Sequence, residues 1–107
     1  MADEGLQKDD RYAEVFIRSR AARGYGPRRI EQELKSHGVE QSLIRSALNA
    51  AEIDWDELAC DTRRKKFRGH PSDAQARAKQ TRFLEYRGFD AAQIRQALRQ
   101  AATDEDL

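Results

Sequence analysis

The apolar positions of this chain recur at the spacing of amphipathic helices and give no sign of a strand. Tyr12, Val15, Phe16 and Ser19 fall at i, i+3, i+4 and i+7, and Trp55, Leu58, Ala59 and Thr62 repeat that set forty-three residues later. Such spacing puts each set on one face of a helix. The pattern predicts six helices, over roughly 10 to 23, 27 to 37, 40 to 51, 54 to 67, 73 to 87 and 90 to 101.

Local chemistry agrees with those boundaries. Gly24-Tyr25-Gly26-Pro27 ends the first helix with a glycine and starts the second with a proline at its first position, where the missing N–H costs nothing. Gly38 and Gly88 end the middle helices, where a positive φ reverses the chain within two residues. Asp54 and Asp90 are placed to cap the helices that follow.

The helices also repeat as groups. Gly38 through Leu48 lies on Gly88 through Leu98 without a gap, so that Gly, an apolar residue, Ile, Arg, Ala and Leu recur in register, and Leu34 falls on Leu84 at the same offset of fifty. The seven-residue difference between the two offsets is absorbed between Phe67 and Asp73, by a longer first connection or a longer middle helix. The expected organisation is therefore all-α: an acidic, flexible segment over 1–9, one three-helix repeat over 10–53, a second over 54–101, and an acidic tail over 102–107. Short turns and helix-turn-helix-like pairs characterise both repeats. Tyr12, Val15, Phe16, Ile30, Leu34, Val39, Ile44 and Leu48 form the expected first core, and Trp55, Leu58, Phe83, Leu84, Phe89, Ile94 and Leu98 the second. At about 1.5 to 3 kcal/mol per buried side chain such cores are marginal against chain entropy. The units are accordingly expected to lean on each other, through a near-continuous helix around residues 50 to 55.

Composition narrows the function more than the fold. A chain of 107 residues has no room for a core plus a separate catalytic domain. Apolar residues make up 38% and charged ones 36%, which favours exposed surface over a thick core. The net charge of +1 conceals an uneven distribution: Arg11 through Arg99 holds nineteen Lys or Arg against twelve Asp or Glu, while both ends are acidic. Fifteen of the twenty bases are Arg, the side chain suited to bidentate contact with carboxylate or phosphate. An anionic partner and a solvated, ion-paired helical surface are both consistent with this balance. The single cysteine, Cys60, cannot form an internal disulfide, and no apolar run reaches the length of a signal peptide or membrane span, so a cytoplasmic setting without membrane attachment is expected.

Candidate chemistry is sparse. The serines lack a nucleophile-elbow context, neither His37 nor His70 sits in a triad pattern, and Cys60 with the two histidines does not show zinc spacing. Gly24-Tyr25-Gly26-Pro27 has neither the Lys-Ser or Lys-Thr nor the preceding strand of a phosphate loop. No catalytic residue, metal or cofactor is expected. Tyr25 is either a turn residue packed on a neighbouring helix or an exposed contact, and Trp55 fits a core position.

The basic clusters remain. Arg18, Arg20, Arg23, Arg28 and Arg29 surround the first turn, outside the apolar stripe, and Arg63, Arg64, Lys65, Lys66 and Arg68 end the fourth helix. A helix dipole rewards one or two terminal cations by about 0.3 to 1 kcal/mol each, and does not account for five. The third helices carry only Arg45, Arg95 and Arg99 and no base-reading cluster, which argues against sequence-specific DNA recognition.

These residues carry a resemblance. Asp10-Arg11-Tyr12-Ala13-Glu14-Val15-Phe16-Ile17-Arg18, Gly24-Tyr25-Gly26-Pro27, Ile30, Glu33, Leu34, Gly38 and Val39 resemble the RecX family of bacterial regulatory proteins. Trp55, Leu58, Lys65-Lys66-Phe67, Arg82-Phe83-Leu84, Arg87-Gly88-Phe89, Ile94 and Ala97-Leu98 are similar to that family's following repeat. The resemblance implies a tandem-repeat protein that binds the recombinase RecA along the groove of its filament on DNA. It further implies suppression of the ATPase, strand exchange and co-protease activities, and weak DNA binding without sequence preference, within homologous recombination, DNA repair and the SOS response. Relatives usually carry three repeats where this chain shows two, and a smaller contact surface implies weaker binding. The expected contact residues are Arg18, Arg20, Arg23, Tyr25, Arg28, Arg29, Lys65, Lys66 and Arg87. A general nucleic-acid-binding helical module, independent of RecA, is the alternative. A purely structural adaptor is a third.

Overall fold

The computed structural model describes the backbone of residues 2–106 and the side chains of residues 11–103. Six helices follow in order: α1 (Ala2–Ala22), α2 (Pro27–Ser36), α3 (Gln41–Ala50), α4 (Trp55–Lys66), α5 (Ala74–Arg87) and α6 (Ala91–Asp106). They form two three-helix units, with no strand among the described residues. Helix α1 packs on α3 and α4 on α6, with α2 and α5 completing each unit. The body is long, 57 × 24 × 18 Å, with a radius of gyration of 15.9 Å, against the roughly 13 Å of a compact chain of this size. No helix among the described residues is long and apolar enough to cross a membrane.

Helix ends are set by the residues that the turns require. Asp54 accepts from the Glu57 N–H at 3.0 Å, and Asp73 caps α5 through the Ala76 N–H at 2.7 Å. Asp90 and Gln93 cap each other reciprocally, at 2.8 and 2.9 Å, so that two of the orphan N–H groups opening α6 are satisfied together. The seven extra residues of the second unit are shared. Residues 67–73 replace the shorter 23–26 connection, and α5 has 14 residues where α2 has 10.

Several expectations need correction. Tyr12 and Val15 are 44% and 65% exposed, while Ala13, Phe16 and Ile17 face the first core. The buried stripe of α1 is thus turned by one residue, because Ala13 gives α3 room to approach closely and Ile17 supplies the volume expected from Val15. Tyr12 keeps its hydroxyl at the surface, hydrogen-bonded with His37 Nδ1 at 2.6 Å. Trp55 is only partly buried and packs on the first core rather than the second, together with Ile53. Leu48, Leu58 and Phe83 are also half-buried at the margins of their cores. The near-continuous helix around residues 50 to 55 does not form: Glu52 adopts a left-handed φ of 52° between α3 and α4. Helix α1 starts earlier than the apolar stripe does, at Ala2. The side chains of the two acidic ends lie outside the described residues.

The second core contains a polar pair with no counterpart in the apolar pattern. Arg63 and Gln80 are buried, and the Arg63 Nη1 donates to the Gly69 carbonyl at 2.8 Å and to Gln80 Oε1 at 3.3 Å. Arg63 thereby pins the 67–73 connection against α4, and Phe67 closes over Phe83 edge to face with centroids 5.4 Å apart.

Candidate partner-binding site

The two units meet through their turns. Gly24, at φ 85°, ends α1 and lets Gly26 extend into the start of α2; Gly88, at φ 101°, ends α5. The Gly26 N–H donates to the Arg87 carbonyl at 2.7 Å and the Arg28 N–H to the Gly88 carbonyl at 3.0 Å. Donors left over at the N-terminus of α2 thus satisfy acceptors left over at the C-terminus of α5, and the two helix dipoles meet with opposite poles. The approach excludes any side chain. A Cβ on Gly26 would lie 2.5 Å from the Gly88 carbonyl carbon and oxygen, and one on Gly88 would lie 2.4 Å from the Arg29 Cβ.

Around this contact, aromatic rings and cations alternate across the junction. The Arg29 guanidinium lies between Tyr86 and Tyr25, 5.1 and 4.4 Å from their ring centres. Arg87 lies between Tyr25 and Phe83, at 4.8 and 5.3 Å, and Lys66 reaches Phe83 at 5.8 Å. Arg29 also donates to the Tyr86 carbonyl at 3.3 Å and to Glu33 Oε1 at 3.3 Å, and Arg87 to the Arg23 carbonyl at 3.1 Å. Hydrogen bonding at Tyr86 raises the Arg29 pKa above its ordinary value, opposed by partial desolvation and aided by Glu33. Planar guanidinium groups suit this arrangement, stacking and donating at once.

Grooves open on either side of the junction. One, of about 240 Å³, has Ala22, Leu58 and Phe83 among its walls and carries Arg23, Lys65, Lys66 and Arg87. The other, of about 340 Å³, is bordered by Arg28, Arg29, Tyr86 and Glu85. Folding therefore gathers four of the nine expected contact residues, from α4, α5 and the α1–α2 turn, around one cleft. Arg28 is exposed in the second groove, while Tyr25 and Arg29 are half-buried in the contact between the units. Arg18 and Arg20 belong to neither groove: Arg18 pairs with Glu14 at 3.6 Å, and Arg20 pairs with Glu33 at 3.1 Å and lies over the Phe16 ring at 4.3 Å. The open choice for Tyr25 resolves in favour of packing.

Leu58, Phe83 and Thr62 of the first groove carry only a core or helix-face signal in the sequence, and Ala22 carries none. Tyr86, 72% exposed, belongs to neither an apolar stripe nor a basic cluster of the sequence. A tyrosine one residue before a basic residue and a helix-ending glycine was the available cue.

Comparison with known proteins bears on both units. Residues 9–48 match the model of the RecX second three-helix domain, and residues 52–98 that of the RecX third three-helix domain. The chain is 46% identical over 101 residues to the Regulatory protein RecX of Chromohalobacter salexigens, covering 94% of this chain and 66% of the relative. It is 47% identical over 107 residues to that of Halorhodospira halophila, covering 99% and 65%, and 49% identical over 90 residues to that of Pseudomonas putida, covering 83% and 58%. The chain thus spans just under two thirds of the length of the first two relatives. With α1–α3 and α4–α6 matched in order by consecutive domains of one family, this chain belongs to the RecX family.

Proposed function

We propose that this chain binds RecA and its filaments on DNA, and thereby restrains the ATPase, strand-exchange and co-protease activities of RecA in recombination and repair, acting in the cytoplasm by binding and without catalysis. The observation that carries this reading is the match of both units, in order, to two consecutive RecX domains. The shape and charge of the junction support it. A body 57 Å long with cationic grooves on both sides of its waist suits an acidic surface extended in one direction, such as a filament groove.

The expected contact residues take different parts in this reading. Arg23, Lys65, Lys66 and Arg87 meet the partner in the first groove, and Arg28 meets it in the second. Tyr25 and Arg29 act by holding the two units at a fixed angle. Arg18 and Arg20 extend the positive surface along α1. DNA contact is weak, through phosphates and without sequence preference.

The test is the steady-state ATPase of RecA on single-stranded DNA, with the DNA in excess, as the chain is titrated in. Inhibition at substoichiometric protein is expected. Arg28→Glu should weaken that inhibition while leaving far-UV circular dichroism unchanged, because Arg28 is exposed. No inhibition, alongside RecA-independent DNA binding that falls steeply with salt, would instead identify a general nucleic-acid module.

A further inference from the structure

We propose that the groove between the units receives an acidic peptide segment with an aliphatic anchor residue, so that the RecA contact read above is made there through protein rather than through nucleic acid. This rests on the RecA reading and specifies the part of the partner that the groove takes.

Three features of the groove carry the inference. The first is its charge. Some cations of the surface are engaged by carboxylates: Arg18 by Glu14, Arg20 and Arg29 by Glu33, Lys35 by Glu31 and Arg64 by Asp61; what sets this groove apart is that four uncommitted ones converge on it. Among the described residues, none of Arg23, Lys65, Lys66 and Arg87 has a carboxylate within ion-pair distance, and Asp61 at the groove's edge is engaged by Arg64 at 3.4 Å. Four cations are thus left to face whatever enters.

The second is organisation. The Arg87 guanidinium is held before any ligand arrives, by Tyr25, by Phe83 and by its bond to the Arg23 carbonyl. A pre-positioned guanidinium loses little freedom on pairing with a carboxylate, which favours binding. Lys65 and Lys66 are exposed in the last turn of α4 and supply mobile charge beside it.

The third separates peptide from nucleic acid. Single-stranded nucleic acid is held by exposed aromatic platforms as well as by cations. Among the described residues, Phe83 is the one ring lining this groove, and a single ring that Arg87 and Lys66 already approach is not the series of exposed platforms on which successive bases stack. The exposed ring of the junction, Tyr86, borders the opposite groove beside Glu85. What the first groove offers between its cations is instead the apolar surface of Ala22, Leu58 and Phe83. Its volume, about 240 Å³, falls below the roughly 300 Å³ at which small-molecule sites begin, and suits one or two side chains of a passing strand.

The experiment uses fluorescein-labelled probes and the full chain, followed by anisotropy: a hexapeptide alternating Glu and Leu, the same peptide with Ser for Leu, and an oligothymidylate. The Glu-Leu peptide should bind, the Glu-Ser peptide should bind at least about fivefold more weakly, and K65Q/K66Q should weaken the Glu-Leu peptide roughly tenfold with unchanged circular dichroism. Phe83→Ala should reproduce the effect of removing the anchor; Leu58→Ser provides an independent variant if that chain unfolds. Failure of the wild-type chain to bind the Glu-Leu peptide overturns the proposal, as does oligothymidylate that displaces the peptide and loses affinity equally in K65Q/K66Q. The RecA reading is judged separately by ATPase inhibition. Peptide binding lost in K65Q/K66Q with RecA inhibition intact overturns the groove as the RecA contact alone, whereas no RecA effect from the wild-type chain overturns the RecA reading, and with it the assignment of the peptide to RecA.

Discussion

Gly38 and Gly88 occupy the same place in their units and meet different fates. Each ends a middle helix in the left-handed region, at φ 85° and 101°, and each is followed by a buried apolar residue. The hydrogen bonds match as well: the Val39 N–H returns to the Leu34 carbonyl at 3.0 Å, and the Phe89 N–H to the Leu84 carbonyl at 3.1 Å, in the Schellman pattern. Yet a Cβ added at Gly38 meets nothing within 4 Å, whereas one at Gly88 runs into the Cβ, N and Cα of Arg29. The comparison separates two demands on glycine that look identical in a sequence. One is a dihedral that only glycine adopts cheaply; the other is room for a second backbone.

Three substitutions isolate these demands. Gly88→Ala imposes both the left-handed strain and the clash with Arg29, and should destabilise the protein most, by about 2–4 kcal/mol in urea unfolding. Small-angle scattering should then show a larger radius of gyration than that of the unsubstituted chain, whose units are docked. Gly26→Ala tests the clash alone, since Gly26 has an extended backbone at φ −86°; roughly 1–3 kcal/mol and the same expansion, with helicity retained, are expected. Gly38→Ala carries the strain alone and should cost about 1 kcal/mol with no change in dimensions. If Gly38→Ala expands the molecule as Gly88→Ala does, the turns act through local strain and the contact between units is not what distinguishes them.

The smallest expected effect lies in acid. Gln41 donates to Glu31 Oε1 at 2.7 Å, and this bond, aided by Lys35, holds the Glu31 carboxyl below its ordinary value despite some desolvation. The corresponding positions of the second unit, fifty residues on, are Ala91 and Thr81, which cannot form such a pair. Because the folded value is depressed, the stabilisation is present above the unfolded carboxylate pKa and is lost as pH falls through the folded value. Gln41→Ala should raise the Glu31 pKa in a carbon-detected NMR titration and reduce the acid sensitivity of the first unit, leaving the second unit unchanged.

Much of the fold was legible. Helix termini at Pro27, Asp54 and Asp90 were readable because capping is a contract between residues a few positions apart, and the six helices fall within a few residues of the expected ranges except at the two ends of the chain. The burial of α1 was less legible. Tyr12, Val15 and Phe16 and the set Ala13, Phe16 and Ile17 are both helical stripes, and hydrophobicity favours the first. Alanine's small size, which decides in favour of the second, matters only once α3 lies against it. The candidate site was half legible for the same reason. Arg23, Lys65, Lys66 and Arg87 were visible as isolated or clustered cations, but their convergence on one groove depends on the contact between Gly26 and Gly88.

By itself, the sequence determined the helices, their turns, the duplication into two three-helix units and the excess of arginine, because each depends on dihedral preference, periodicity or charge carried by neighbouring residues. Only the tertiary structure decided which glycine admits another backbone, which arginines are bound in the junction and which face the groove. Those outcomes depend on the distance between residues some sixty positions apart, and no local preference encodes that distance until the two units have docked.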